Sequence, residues 1–200
     1  MEPILLEDNQ HWIKSDAYNH FISRDILQKA LSFLTTKQIL ALIGARRVGK
    51  STLAKLMIKE LLSSVEAKNI FFINLEKPEF IPFKNDASYL GTIYDAYLKM
   101  TNPNLNEKIY FFIDEIQIFS NWEVFVKSKY ENSNIKFIIT GSNSSLLTSN
   151  YATVLTGRVL KLQINSFSFL DYKQIKHGTT LEQVANRIEI SRAKDEYLKW

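Results

Sequence analysis

The chain has 200 residues, of which 46% are hydrophobic and 23% charged, a balance typical of a globular protein with one α/β domain. It contains no cysteine, which excludes disulfides and thiolate metal sites, and its net charge of +4 is too small to indicate nucleic-acid binding by itself. The sequence shows neither a secretory signal nor an apolar stretch long enough to span a bilayer, so we expect a cytoplasmic protein without membrane insertion.

The first predicted element is an amphipathic helix over 26–34, in which apolar residues recur every three to four positions. Asp25 would cap its N-terminus. An apolar run over 38–43 then predicts a strand. Its lack of polar alternation is typical of a parallel strand that is buried on both faces.

A loop that matches G-x-x-x-x-G-K-[ST] in full follows this strand. The chemistry of phosphate binding explains the spacing, because Gly44 and Gly49 permit backbone conformations that a side chain would forbid. The loop can turn its N–H groups around a β-phosphate, while Lys50 reaches the β- and γ-phosphates and Ser51 ligates Mg²⁺. We also expect Thr52 to contact the α-phosphate. The predicted cofactor-binding residues are Gly44, Ala45, Arg46, Arg47, Val48, Gly49, Lys50, Ser51 and Thr52.

The same letters also occur by chance, in a glycine turn beside a surface lysine. The context argues against this alternative, because the loop follows an apolar strand and precedes a helical pattern of apolar residues between Leu53 and Leu61. A helix beginning near Lys50 would direct the positive end of its dipole at the phosphates. Binding of ATP, or of a related nucleoside triphosphate, with Mg²⁺ is therefore the main functional prediction.

Two further strands are predicted at 70–74 and 108–113, each followed by a helical pattern. The segment 76–86 contains two prolines and is predicted to be a loop. Strands that alternate with helices in this way indicate a parallel sheet with helices on both faces, which is the architecture of an α/β protein.

The third strand ends in two carboxylates, Asp114 and Glu115, at the edge of the sheet where parallel α/β proteins bind ligands. Asp114 would help to hold Mg²⁺, which prefers oxygen ligands. Glu115 would orient or deprotonate the attacking water and is the predicted catalytic base. The alternative for Asp114 is a helix cap in a solvated turn. The phosphate-binding loop on another strand of the same sheet favours the functional interpretation.

A fourth strand is predicted at 135–140 and a fifth at 159–164, and the alternating pattern of the fifth indicates a position nearer an edge. The polar stretch 140–143, which ends at Asn143, would bond the γ-phosphate or the attacking water, or form a helix-capping turn. Arg158 directly precedes the fifth strand. It is either a residue that stabilises charge on the γ-phosphate or a salt-bridged surface residue.

The last predicted elements are helices over 166–176 and 181–200. The second of them runs to the final residue without a stop signal. We therefore expect either that the chain is a fragment of a longer protein, or that this helix docks on another structure.

Together these motifs resemble those of the AAA+-type P-loop ATPases. The narrower resemblance is to archaeal and bacterial members with a G-x-R-R-x-G-K-[ST] loop, an Asp-Glu-Ile-Gln turn beginning at Asp114, a Thr-Gly-Ser segment beginning at Thr140 and a later Gly-Arg pair. It extends over about residues 20–175. The resemblance implies a three-layer sandwich with a five-stranded parallel sheet in the order 5-1-4-3-2, followed by a C-terminal helical extension.

The resemblance also implies how the residues divide into roles. The catalytic residues would be Glu115, Lys50, Arg158 and Asn143, and the metal ligands would be Ser51 and Asp114. Asn143 would belong to a polar sensor. Arg158 would be an arginine finger or sensor, acting in its own chain or on a neighbouring copy, and residues near 22–24 would lie near the adenine base.

Three regions are expected on this basis. Residues 1–20 would form an N-terminal extension, residues 21–165 the ATPase domain, and residues 166–200 a helical segment that begins a lid or a further domain.

The leading functional prediction is a Mg²⁺-dependent ATPase that binds ATP and ADP and acts on a partner, with a homo-oligomer as one arrangement. A nucleotide-gated switch with negligible turnover and a DNA-stimulated ATPase are the alternatives, although no recognisable DNA-binding motif occurs in the sequence. A small-molecule kinase shares the first motif, but Glu115 favours attack by water. The identity of the partner, protein or DNA, does not follow from the sequence.

Overall fold

The computed structural model describes residues 1–86, 88–142, 154–168 and 171–172. One parallel sheet contains β1 (Ile39–Ile43), β2 (Ile70–Asn74), β3 (Ile109–Asp114), β4 (Ile135–Gly141) and β5 (Val159–Gln163). The order across the sheet is β2-β3-β4-β1-β5, and each neighbouring pair is parallel. The predicted α/β fold, the predicted strand order and the edge position of the fifth strand are confirmed.

The α-helices of the described residues lie on the two faces of this sheet. They are α1 (Glu2–Asp8), α2 (Ile26–Ser32), α3 (Lys50–Leu61), α4 (Tyr89–Thr101) and α5 (Trp122–Asn132). Short 3-10 helices cover Gln10–Trp12, Phe33–Thr35, Ala67–Asn69, Pro78–Phe83 and Ile116–Ile118. The prediction of a loop over 76–86 is thus corrected, because residues 78–83 form a 3-10 helix. The fully buried side chain of Phe80 anchors this helix in the core.

The absence of polar alternation in the strands has a simple structural cause. Successive side chains of a strand point to opposite faces of the sheet, and here both faces are covered. In β1, Ile39 and Ala41 pack into a core with α1, α4 and α5, whereas Leu40 and Leu42 pack into a second core with α2 and α3. The result is a three-layer sandwich.

The N-terminal segment packs on the same sheet instead of standing apart from it. Leu5 of α1 is fully buried among the residues of one core. The Asn9 side chain accepts a hydrogen bond from the Phe72 N–H (2.7 Å) and donates one to the Phe72 carbonyl (2.8 Å), on the outer edge of β2. One residue earlier, the Asp8 carboxylate accepts the Asn74 N–H at 3.0 Å. Asp8 and Asn9 therefore cover part of the outer edge of the sheet with side-chain hydrogen bonds.

The predicted cap of α2 and the predicted start of the first C-terminal helix differ from the structure. Asp25 stands at the N-cap of α2, but its side chain makes no capping bond; its carboxylate accepts a hydrogen bond from the Ser168 hydroxyl. Residues 166–168 are not helical, residues 171–172 are, and the remainder of the predicted C-terminal helices lies outside the described residues. Within the described ranges, no helix combines the length and the apolar composition needed to cross a membrane.

Candidate nucleotide-binding site

The phosphate-binding loop connects the carboxyl end of β1 to the first turn of α3. Gly49 immediately precedes α3 with φ of 90°, in the left-handed region that favours glycine, and Arg47 also has a positive φ of 64°. A Cβ atom at Gly44 would lie 2.3 Å from the carbonyl oxygen of Ile164. The first glycine is therefore required by close backbone packing, and the second by backbone conformation.

Lys50 folds back across this loop. Its Nζ donates hydrogen bonds to the carbonyls of Gly44 (3.3 Å) and Ala45 (3.0 Å), and it lies 3.7 Å from Oε1 of Glu115. The lysine is almost fully buried. Its ammonium group thus lies between the loop and the carboxylate at the end of β3.

Asp114 is the last residue of β3 and is buried, so it is a strand residue and not a helix cap. The Thr140 hydroxyl of β4 donates a hydrogen bond to its Oδ1 at 2.6 Å. Burial raises the pKa of the Asp114 carboxyl, and hydrogen bonds from the Thr140 and Ser51 hydroxyls act in the opposite direction. The two predicted metal ligands, Ser51 and Asp114, thus lie near each other, at the start of α3 and the end of β3.

The chemistry of this pair suits Mg²⁺, which takes oxygen ligands, keeps several waters and usually has only one or two protein ligands beside a substrate phosphate. Within the described part of the chain, no group of three or more His, Asp or Glu side chains is arranged to hold a metal ion. The Ser51 hydroxyl and the Asp114 carboxylate can therefore hold Mg²⁺ if phosphate oxygens and water supply the remaining ligands.

Glu115 follows with a left-handed backbone, φ of 55°. Its N–H donates a hydrogen bond to the Thr140 hydroxyl at 3.0 Å, and its Oε2 accepts one from Nε2 of Gln117. Thr140 thus bonds both acidic residues at once, accepting from the Glu115 backbone and donating to the Asp114 side chain. The sequence indicated a polar residue at the end of β4, but the roles of Thr140 and Gln117 depend on contacts that a linear pattern does not show.

A cavity of about 630 Å³ lies over the loop. It is lined by Arg46, Arg47, Gly49, Lys50, Ser51, Thr52, Glu76 and Glu115. Glu76, which follows β2, was not among the predicted site residues. Ala45 and Val48 line a neighbouring cavity of about 570 Å³ together with residues that follow β5, so part of the loop faces away from the acidic pair.

Arg158 lies at the opposite end of the sheet. Its carbonyl accepts the N–H of Ile39 at the start of β1 (2.8 Å), whereas the loop follows the end of that strand. A strand of five residues spans about 16 Å at roughly 3.3 Å per residue. The Arg158 guanidinium pairs with Glu131 at 3.1 Å, so it does not reach the loop of its own chain. Asn143 lies outside the described residues.

Comparison with known proteins gives relatives in bacteria and archaea. A profile of the AAA domain family matches residues 36–173. The chain is similar to an uncharacterized protein of Haemophilus influenzae, with 32% identity over 84% of this chain and 41% of that protein. It is also similar to an uncharacterized protein of Methanocaldococcus jannaschii, with 29% identity over 90% of this chain and 37% of that protein. The chain therefore spans less than half the length of these relatives.

Solved structures share the fold at low identity. The ORC1 protein of Aeropyrum pernix, in complex with DNA, has a TM-score of 0.55 and 11% identity over 84% of this chain and 52% of that chain. Hsp104 of S. cerevisiae, in complex with casein, has a TM-score of 0.56 and 14% identity over 82% of this chain and 33% of that chain. These likenesses concern the fold alone. Since the family profile covers most of its length, the chain belongs to the AAA domain family and has the fold of an AAA+ P-loop ATPase.

Proposed function

We propose that the protein is a Mg²⁺-dependent ATPase whose nucleotide state is coupled to a partner. The observation that carries the proposal is the convergence of Lys50, Ser51, Asp114 and Glu115 at the carboxyl edge of the sheet, beside one cavity. The cation, the metal ligands and the base come from two elements, the start of α3 and the end of β3. Such an arrangement suits transfer of a γ-phosphoryl group to water.

In this proposal the loop backbone and the first turn of α3 bind the phosphates, because the first N–H groups of a helix have no partners within the helix. Lys50 exchanges its carbonyl contacts for phosphate oxygens. Ser51 and Asp114 hold the Mg²⁺ ion, which supplies positive charge to the phosphate oxygens when it is bound.

Glu115 orients the attacking water and accepts its proton. Two contacts support this role. The Thr140 hydroxyl accepts the N–H of Glu115, whose backbone is left-handed, and Gln117 donates to Oε2 while Oε1 lies 3.7 Å from Nζ of Lys50. A base held in this way needs little reorganisation during the reaction.

In this proposal Arg158 acts on a neighbouring copy, since it lies at the far end of the sheet from its own loop and pairs there with Glu131. Its pair with Glu131 is partly exposed and costs little to exchange. This position favours a homo-oligomer in which one subunit supplies an arginine to the next. A dilute single chain would then bind nucleotide with slow turnover, which is how the nucleotide-gated switch would also behave.

The coupled partner belongs to the proposal as well. The chain spans less than half the length of its relatives, and the partner in this proposal is a protein or a nucleic acid. We propose no identity for it.

Nucleotide binding is tested with the variant Lys50→Ala. We expect this variant to lose measurable binding of ATP with Mg²⁺ in a calorimetric titration, because it removes the cation of the loop. Lys59→Ala, which changes a lysine in the last turn of the same helix, is the matched control and should bind like the wild type. Equal ATP affinity of the Lys50→Ala variant and the wild type would contradict the site, and parallel titrations with GTP decide the base preference.

A further inference from the structure

Arg24 is a buried cation that the proposed chemistry does not use. It precedes α2, is only 6% exposed, and lies behind the phosphate-binding loop. Its Nη1 donates a hydrogen bond to the carbonyl of Val48 at 2.8 Å. Its Nη2 lies 3.1 Å from the Asn165 carbonyl and 3.4 Å from Oδ2 of Asp171. One guanidinium group therefore joins the loop to the segment that follows β5.

Asp171 holds the other end of this connection. Its Oδ1 accepts the N–H of Asp25 at 3.1 Å, and its Oδ2 accepts the N–H of Ser168 at 2.8 Å. The ring of Phe167 lies 4.7 Å from the Arg24 guanidinium. Both partners of the ion pair are about 95% buried, so Arg24 is oriented by charge, by backbone carbonyls and by an aromatic face at the same time.

The bond to Val48 fixes the direction of a neighbouring N–H group. In a trans peptide the carbonyl and the following N–H lie in one plane and point in opposite directions, and the described chain has no cis peptide bond. Because the Val48 carbonyl points at Arg24, the N–H of Gly49 is directed away from Arg24. Gly49 lines the cavity over the loop. The geometry therefore points this amide at the space where a phosphate would bind.

The same segment also supports the start of the loop. The N–H of Ile164 donates to the Ile43 carbonyl at 2.6 Å, and the Ile164 carbonyl occupies the space that a side chain at Gly44 would need. Ile164 thus contacts the loop directly at its first glycine, and Asp171 is linked through Arg24 to the residue before its second glycine.

We propose that Arg24 and Asp171 form a clamp that positions the Gly49 amide for phosphate binding and couples the loop to the chain beyond β5. Arg24 is a positioning residue, because it acts through the backbone of the loop. The inference rests on the proposed function, since it assumes that the loop binds a nucleotide. A displacement of Asp171 would therefore move the Arg24 guanidinium and, with it, the Val48–Gly49 peptide of the loop.

The clamp is tested by titrating ATP and Mg²⁺ into the full chain carrying Arg24→Lys or Asp171→Asn. A lysine cannot bond the Val48 carbonyl and the Asp171 carboxylate at the same time, because its single ammonium group lacks the two-pronged geometry of the guanidinium. We expect each variant to weaken ATP binding at least about 10-fold, because the loss of one charge-assisted hydrogen bond has an effect of that size. In steady-state assays KM should rise while kcat changes little. A general loss of folded protein would instead lower kcat and leave KM unchanged.

Lys136→Met is the matched control, because Lys136 is another buried cation that bonds backbone carbonyls, at the other end of the sheet. It should alter the thermal midpoint and leave ATP affinity unchanged. Wild-type affinity in Asp171→Asn and in a folded Arg24→Lys variant would overturn the clamp. Failure of the wild type itself to bind ATP would instead overturn the proposed function. The double variant should bind ATP no more weakly than either single variant, since the two residues act as one unit.

Discussion

At the residue scale, Thr140 connects the two acidic groups of the site. Its hydroxyl accepts the Glu115 N–H and donates to the Asp114 carboxylate, so one side chain of β4 sets the geometry at the end of β3. It is almost fully buried. A buried hydroxyl with both bonds satisfied specifies one arrangement, because loss of either bond leaves a polar group unpaired.

The variant Thr140→Val tests this role, since it keeps the shape of the side chain and removes both bonds. We expect kcat for phosphate release to fall roughly 10- to 100-fold, the effect of about 1–3 kcal/mol at an active-site contact. Thr140→Ser keeps the hydroxyl and should retain most of the activity. Wild-type kcat in Thr140→Val would show that the hydroxyl does not position Glu115.

The residues that could be predicted from the sequence are those whose chemistry is local. Gly44, Lys50 and Ser51 lie within one loop, and Asp114 and Glu115 are adjacent, so the local motifs and the strands that precede them were enough to predict their roles. Arg24 could not be assigned in this way, because its partners are 24 to 147 positions away in the chain. The resemblance predicted only that residues near 22–24 lie near the adenine base, and the bond from Arg24 to Val48 followed only from the structure.

At the element scale, the outer edge of β2 is closed by side chains instead of by another strand. In addition to Asn9, His11 and Trp12 both donate to the Ile70 carbonyl, at 3.0 and 2.9 Å. Alternate residues of β2 thus have outward backbone groups bonded to side chains: the Ile70 carbonyl, both groups of Phe72 and the Asn74 N–H. An uncovered edge would be a template for pairing with another chain, and this cover removes that hazard. The sequence did not reveal it, because no motif marks a side chain that replaces a strand.

His11 makes this cover sensitive to pH. It is buried, its Nδ1 lies 3.1 Å from the Tyr18 hydroxyl, and burial lowers its pKa from 6.5 to about 4. Below pH 6.5 the unfolded chain binds a proton that the folded chain does not, so the free energy of unfolding falls as pH drops from 6.5 to 4. At pH 4 the free energy of unfolding has fallen by roughly 3 kcal/mol through this group. Burial raises the pKa of nearby Asp8, which acts in the opposite direction, so the contribution of His11 must be isolated by substitution.

Denaturant unfolding of the wild type and of His11→Gln at pH 7, 5 and 4 provides that comparison. Glutamine keeps a donor for the Ile70 carbonyl and cannot be protonated in this range. We expect the stability difference between wild type and variant to shift in favour of the variant as the pH falls. A difference that stays constant across the three pH values would contradict the assignment to His11.

At the scale of the whole molecule, the parallel sheet and its strand order followed from the alternation of buried strands with helices, together with the family resemblance. What sequence reasoning left open was whether Arg158 acts in its own chain or on a neighbouring copy. The loop and the acidic pair follow strands, whereas Arg158 precedes β5, and in a parallel sheet these positions are opposite ends. Arg158 and the site of its own chain are therefore separated by the length of β1.

Mixing two inactive variants tests whether neighbouring copies share a site. Arg158→Ala keeps the base and Glu115→Gln keeps the arginine, so each should bind ATP and release little phosphate alone. Random assembly of an equimolar mixture would restore activity at about a quarter of the interfaces, those that combine an intact base with an intact arginine. A mixture no more active than its separate components, or full activity of Arg158→Ala, would rule out the proposed role of Arg158.

The most direct test of the proposed ATPase is phosphate release by Glu115→Gln in the presence of Mg²⁺ and saturating ATP. We predict that the rate falls about 100- to 10,000-fold, the usual contribution of a general base, while ATP affinity is preserved. Glu76→Gln makes the same change elsewhere in the cavity and should leave the rate near that of the wild type. Hydrolysis by Glu115→Gln at the wild-type rate would contradict the assignment of Glu115 as the catalytic base.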